Sequence, residues 1–203
     1  FDNLPTTLPM VEAGKLVGVL GGDHSVAVGS VRACVERVPD LSVLYLDAHA
    51  DLRDEYQGSR YSHACAARRM HERAPLVQVG VRSLSQEERQ YLEAKQIPVL
   101  FWDPAPAAFR PQEVVRLLSP HVYVSVDLDV FDPSLMPAVG TPEPGGMAWE
   151  QVVGLLRAVA EARQIVGFDV VELCPREGPA ACAFTAARLV YKLIGYALLL
   201  GAG

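Results

Sequence analysis

The run Asp47-Ala48-His49-Ala50-Asp51 constrains this 203-residue chain more than any other stretch. Three metal-capable side chains alternate directly behind the apolar segment Leu41-Ser42-Val43-Leu44-Tyr45-Leu46. On extended backbone, positions i, i+2 and i+4 face one side, so Asp47, His49 and Asp51 are expected to converge at the end of a strand. A second apolar run, 122–126, leads into Asp127-Leu128-Asp129, and a third leads into Gly21-Gly22-Asp23-His24-Ser25. Four carboxylates and two imidazoles gathered in one place repel one another and resist burial unless cations neutralise them. The expected object is a metal centre built from His24, Asp47, His49, Asp51, Asp127 and Asp129.

Around these blocks the chain reads as strand and helix in alternation. Strands are expected over 16–20, 42–46, 76–81, 99–102, 122–126 and 165–171, and helices over 25–37, 62–73, 85–96, 149–162 and 181–200. A further helix ends near Ser119-Pro120, a Pro-rich piece runs from Asp103 to Pro111, and a turn-rich loop covers 132–146. The helix at 85 opens on Ser85-Gln86-Glu87-Glu88, close to a capping box. The strand segments are near-continuously apolar, as in parallel sheets covered on both faces. The expected fold class is therefore α/β, an open sandwich with a mostly parallel central sheet. In such folds the site lies outside the carboxyl ends of the strands, where all six residues above and Glu172 fall.

Half of the residues are apolar, enough for one substantial core, so a single domain over 1–203 is expected. The net charge of −6 excludes the basic footprint of a nucleic-acid binder. No membrane role is expected either: the most apolar run, 189–200, is short and interrupted by Lys192, and reads as a core-packed terminal helix. Cys34, Cys65, Cys174 and Cys182 form no C-x-x-C pair, which suits reduced thiols in a cytoplasmic protein. The first residue is Phe1 rather than Met, which suggests a processed chain or a fragment.

A nitrogen and oxygen donor set without thiolate favours Mn²⁺, with Co²⁺, Ni²⁺ or Fe²⁺ as alternatives, over structural zinc. So many donors suit two ions roughly 3.5–4 Å apart, which activate a water for hydrolysis of a small electrophile. The blocks Gly21-Gly22-Asp23-His24-Ser25, Asp47-Ala48-His49-Ala50-Asp51 and Ser125-Val126-Asp127-Leu128-Asp129-Val130-Phe131-Asp132-Pro133 resemble the signatures of the ureohydrolases, the family of arginase and agmatinase. Gly140-Thr141-Pro142-Glu143-Pro144-Gly145-Gly146 and Asp169-Val170-Val171-Glu172-Leu173-Cys174-Pro175 extend the resemblance over nearly all of the chain.

That resemblance implies an arginase-like three-layer sandwich with two Mn²⁺ per chain. It implies that His24, Asp47, Asp51 and Asp127 hold one ion and Asp47, His49, Asp127 and Asp129 the other, with Asp47 and Asp127 shared. By the same resemblance Asp51 also accepts a hydrogen bond from the attacking water, Glu172 pairs with the substrate guanidinium, and His63 gives a proton to the leaving amine. Arg53 stands where arginases carry Asn, and 51–63 resembles the agmatinase branch. The implied reaction is agmatine to putrescine and urea. Arginine, guanidinobutyrate or formiminoglutamate as substrate, and a catalytically silent metal-stabilised homologue, are the alternatives. A trimeric or hexameric homo-oligomer is implied as well. The first block begins at Gly21, so part of the family's N-terminal region is expected to be missing, and Leu173-Cys174 replaces the commoner Val-Asn. Against these roles stand blander ones: a solvated acidic loop for the aspartates, a surface histidine for His63 and an exposed charge for Glu172.

Overall fold

A strand buried at every position must be covered on both faces, and β2 (Leu41–Leu46) is buried at all six, Ser42 included. In the computed structural model, which describes residues 4–103 and 108–201, β2 lies inside a six-stranded sheet. Its companions are β1 (Val17–Leu20), β3 (Leu76–Val79), β4 (Val99–Leu100), β5 (His121–Asp127) and β6 (Gln164–Val171), in the order β1-β6-β5-β2-β3-β4. Every pairing among the described strands is parallel. All carboxyl ends therefore open on the same edge.

Helices cover both faces. Leu41, Val43 and Tyr45 turn toward a cluster shared with α1 (Leu4–Glu12), α2 (Ala27–Arg37), α3 (Ala66–His71) and α4 (Gln86–Lys95). Leu44 and Leu46, at the alternate positions, enter the opposite cluster with α5 (Pro111–Val115), α6 (Trp149–Ala162) and α7 (Ala180–Leu199). The result is the expected three-layer α/β sandwich. Within α6, Val152, Leu155, Leu156 and Val159 are fully buried, each contributing about 1.5–3 kcal/mol.

The sheet order has one consequence for function. From β2 the chain winds outward through β3 and β4, and from β5 it winds the other way to β6. Beyond the carboxyl ends of the adjacent β2 and β5 the connections diverge and leave a crevice. Asp47 follows β2 directly and Asp127 ends β5.

Several expected elements differ in extent. The helix over 62–73 is a 3₁₀ turn, His63–Cys65, followed by the short α3. The strands expected to reach Val81 and Trp102 stop at Val79 and Leu100, and the Pro-rich piece from Asp103 to Pro111 lies partly outside the described residues. Helix α1 carries Pro9 internally, which made it invisible as a helix, yet it buries Thr7 and Val11. Helix α7 corrects the reading of the last segment. Over its 20 residues it is long and apolar enough to cross a membrane by length and composition. Cys182, Ala186, Leu189 and Leu193 pack inward, whereas Phe184, Tyr191, Leu198 and Leu199 are exposed, so one face is core and the other is not.

Candidate metal centre

Six side chains meet where β1, β2 and β5 end, but strand alternation is not what aligns them. Backbone pairing of β2 stops at Leu46, and Asp51 adopts a left-handed φ of 52°. Asp129 lies in a 3₁₀ turn, Leu128–Val130, capped by the Asp127 carboxylate, which accepts from Asp129 N at 2.8 Å. Turns therefore do the aiming that extended backbone was expected to do. Glu172 is left-handed too, with φ of 66°. Such backbone costs on the order of 1–3 kcal/mol at a non-glycine residue, and it persists here at two residues expected to function.

The geometry divides the donors into two sets that share Asp47. One donor atom each from His24, Asp47 and Asp51 lies within 4.8 Å of the others, and so does one each from Asp47, His49 and Asp129. His24 Nδ1 is 3.1 Å from Asp47 Oδ2, 3.2 Å from Asp127 Oδ2 and 3.7 Å from Asp51 Oδ2. His49 Nδ1 is 2.9 Å from Asp129 Oδ2 and 3.5 Å from Asp47 Oδ1. The Asp127 carboxylate thus sits with the first set and caps the turn that carries Asp129 of the second.

The hydrogen-bond network indicates which imidazole nitrogen is left for a cation. Ser125 Oγ donates to Asp169 Oδ1 at 2.9 Å, so toward His24 Nε2, 2.8 Å away, it acts as acceptor. The Nε2 proton is spent there, and Nδ1 faces three carboxylates. Burial opposes a charge on His24, yet Asp127 and Asp47 prevail and raise its pKa, so without metal Nδ1 holds a proton that an ion would displace. Asp47 Oδ2, fully buried, accepts no well-directed hydrogen bond. A ring nitrogen and an orphaned carboxylate oxygen facing each other in the core fit a cation between them, a proton or a metal ion. Tyr45 adds support: its ring stacks on His24 with centroids 4.6 Å apart, and its hydroxyl donates to Asp51 Oδ2 at 2.7 Å.

Protonation tells the same story. Burial and the neighbouring Asp47 push Asp51 well above the carboxylate range, and burial with Asp129 and Asp47 does the same to Asp127. Asp129 is raised by burial and Asp47. Asp47 resists burial and is held low by His24 and His49. For His49, burial opposes the charge, yet Asp129 and Asp47 prevail and raise its pKa to about 11. Without a cation, the cluster must hold protons in its place.

A cleft of about 520 Å³ opens over the cluster, lined in part by Asp51, Arg53, Tyr56, His63, Thr141 and Glu172. Glu172 Oε1 accepts from His24 N at 2.5 Å, and burial raises its pKa. His63 is half exposed, with Nδ1 3.2 Å from Asp23 Oδ2. Asp23 lies between this histidine and the start of the turn that bears His24. It caps the following turn through Ser25 N at 2.9 Å, and its other oxygen faces His63. Glu143 Oε1 stands 3.8 Å from His49 Nε2. His71 and His121 lie elsewhere, against Tyr91 and Asp40. Tyr45, Ser125, Asp169 and Arg82 were not anticipated. The first three look like strand interior, and Arg82 binds main-chain carbonyls that no side-chain motif displays.

Comparison with known proteins bears on what this cluster is. A profile for the arginase family matches residues 6–195. An N(1)-aminopropylagmatine ureohydrolase of Thermus thermophilus is 46% identical over 190 residues, 91% of this chain and 64% of the relative. An agmatinase of Pyrococcus horikoshii is 40% identical, covering 87% of this chain and 61% of that protein. In the agmatine ureohydrolase structure of Thermoplasma volcanium the likeness has a TM-score of 0.85 at 32% identity, over 96% of this chain and 66% of that one. The chain thus spans a little under two thirds of the length of these relatives.

Proposed function

This chain belongs to the arginase family, and from that premise we propose that it is a binuclear manganese ureohydrolase cleaving a small guanidino compound, with agmatine as the favoured substrate. The observation that carries the reading is the pair of donor sets joined at Asp47, beside Glu172 on the cleft wall. His24, Asp47, Asp51 and Asp127 would hold one Mn²⁺, and Asp47, His49, Asp127 and Asp129 the other. When bound, such a pair supplies Lewis acidity and a water activated for attack on the guanidino carbon.

The side chains do the rest. Glu172 offers a carboxylate to the planar guanidinium, and its Oε1 is already pinned by His24 N, so its orientation is set before substrate arrives. Asp51, steadied by Tyr45, accepts a hydrogen bond from the attacking water. His63 protonates the leaving amine. The Asp23 carboxylate holds Nδ1 and leaves Nε2 to exchange protons with the cleft. The products are urea and an amine, putrescine in the case of agmatine. We include in this reading a homo-oligomer, trimeric or hexameric, and a cytoplasmic setting.

A second substrate is favoured by a specific observation: the 46%-identical Thermus relative is named for N(1)-aminopropylagmatine. Urea release by the manganese-loaded protein from agmatine, N(1)-aminopropylagmatine, arginine and guanidinobutyrate tests both. The expected result is the highest kcat/KM with agmatine. A higher value for the aminopropyl compound exchanges the substrate, and no urea from any of them, with both ions bound, makes the chain a silent homologue.

A further inference from the structure

We infer that the Arg82 guanidinium is the positioning residue for Asp129, which belongs to the second donor set alone, and that His24 and Asp51, which belong to the first set alone, do not depend on it. The inference rests on the metal reading above. Arg82 follows β3 at the carboxyl edge and reaches under the turn behind β5. Its Nη2 donates to Asp129 O at 2.7 Å, to Glu143 O at 2.8 Å and to Phe131 O at 3.3 Å. Its Nη1 donates to Gly80 O at 3.1 Å, and its Nε to Pro144 O at 3.1 Å. One planar guanidinium therefore ties the strand end, the turn bearing Asp129 and the loop bearing Glu143.

The other half of the set is held through the main chain at this position, whatever the side chain. Arg82 N donates to Ala48 O at 2.9 Å, and Ser83 N to the same oxygen at 3.0 Å. Ala48 lies between Asp47 and His49, so both are fixed in direction from a single carbonyl. Gly80 makes this approach possible: at φ of 101°, an added Cβ would stand 3.0 Å from Asp47 O and closer still to Val130. The fastened loop returns the favour, since Thr141 Oγ1 donates to Asp129 Oδ2 at 3.4 Å. None of these hydrogen bonds reaches His24 or Asp51, whose support comes from Tyr45 and Ser125. Lysine cannot replace the fork, because its three donors radiate from one point rather than spanning three segments.

Manganese titration by equilibrium dialysis, with electron paramagnetic resonance on the same samples, compares wild type with Arg82→Ala and Arg82→Lys. In Arg82→Ala one of the two ions should lose roughly 10–100-fold in affinity while the other is retained, the magnitude usual for removing an outer partner of a ligand. The spectrum should change from a spin-coupled pair to an isolated ion. Arg82→Lys should fall between the two, and it decides the matter if circular dichroism shows the alanine variant unfolded. Two ions bound with unchanged affinities in both variants, or both ions weakened alike, overturn the role of Arg82 alone. A wild type that binds no pair sinks the metal reading and this inference with it.

Discussion

At the residue scale, the cluster behaves as a set of charges that burial alone would not tolerate. Asp127 touches His24 and also caps the turn that carries Asp129, so both donor sets depend on it. Asp127→Asn should weaken both ions by on the order of 1.5–3 kcal/mol, tenfold to a hundredfold in Kd, as read by manganese titration. His63 is different. It stands in the cleft but in neither donor set, so His63→Asn should keep both ions, lower kcat and flatten its pH profile. An unchanged profile removes it from the reaction. The six candidate ligands were legible because carboxylates and imidazoles cannot hide in an apolar pattern. Tyr45 was not, since a buried tyrosine in Leu41–Leu46 looks like core until its hydroxyl is seen on Asp51.

At the element scale, burial on both faces made the sheet readable and turn geometry made the site less so. The strand runs were found to within a few residues. Convergence does not come from strand alternation, because Asp51 is left-handed and Asp129 lies in a 3₁₀ turn, geometry that short-range patterns do not disclose. The capping box foreshadowed by Ser85-Gln86-Glu87-Glu88 forms: Ser85 Oγ accepts from Glu88 N at 3.3 Å, and Glu88 Oε2 accepts from Ser85 N at 2.7 Å. Glu88 Oε1 also accepts from Leu52 N at 2.9 Å, tying α4 to the residue after Asp51. The α6 seam belongs to stability rather than chemistry. Leu156→Ala should destabilise by about 2–5 kcal/mol in urea unfolding and leave metal stoichiometry unaltered.

At the scale of the whole molecule, a rim of three strand ends joins metal occupancy, protonation and stability. His49, titrating near 11 without metal, carries a proton at neutral pH that a coordinating ion must displace. Asp51, Asp127 and Asp129, raised by burial and by one another, favour protons over charge in the same way. Manganese affinity should therefore rise with pH from the acid side through the neutral range. Calorimetry in buffers of differing ionisation enthalpy should register proton release on binding. Occupancy also favours the folded chain, by about 2.7 kcal/mol at a metal concentration of roughly 100 Kd for one site. The melting temperature should climb accordingly and fall back with a chelator. The central claim meets its most direct test in anomalous diffraction from a manganese-soaked crystal. Two peaks roughly 3.5–4 Å apart, with Asp47 and Asp127 between them, are the expected result. A pocket without anomalous density, or one whose aspartates and histidines point apart, would contradict it.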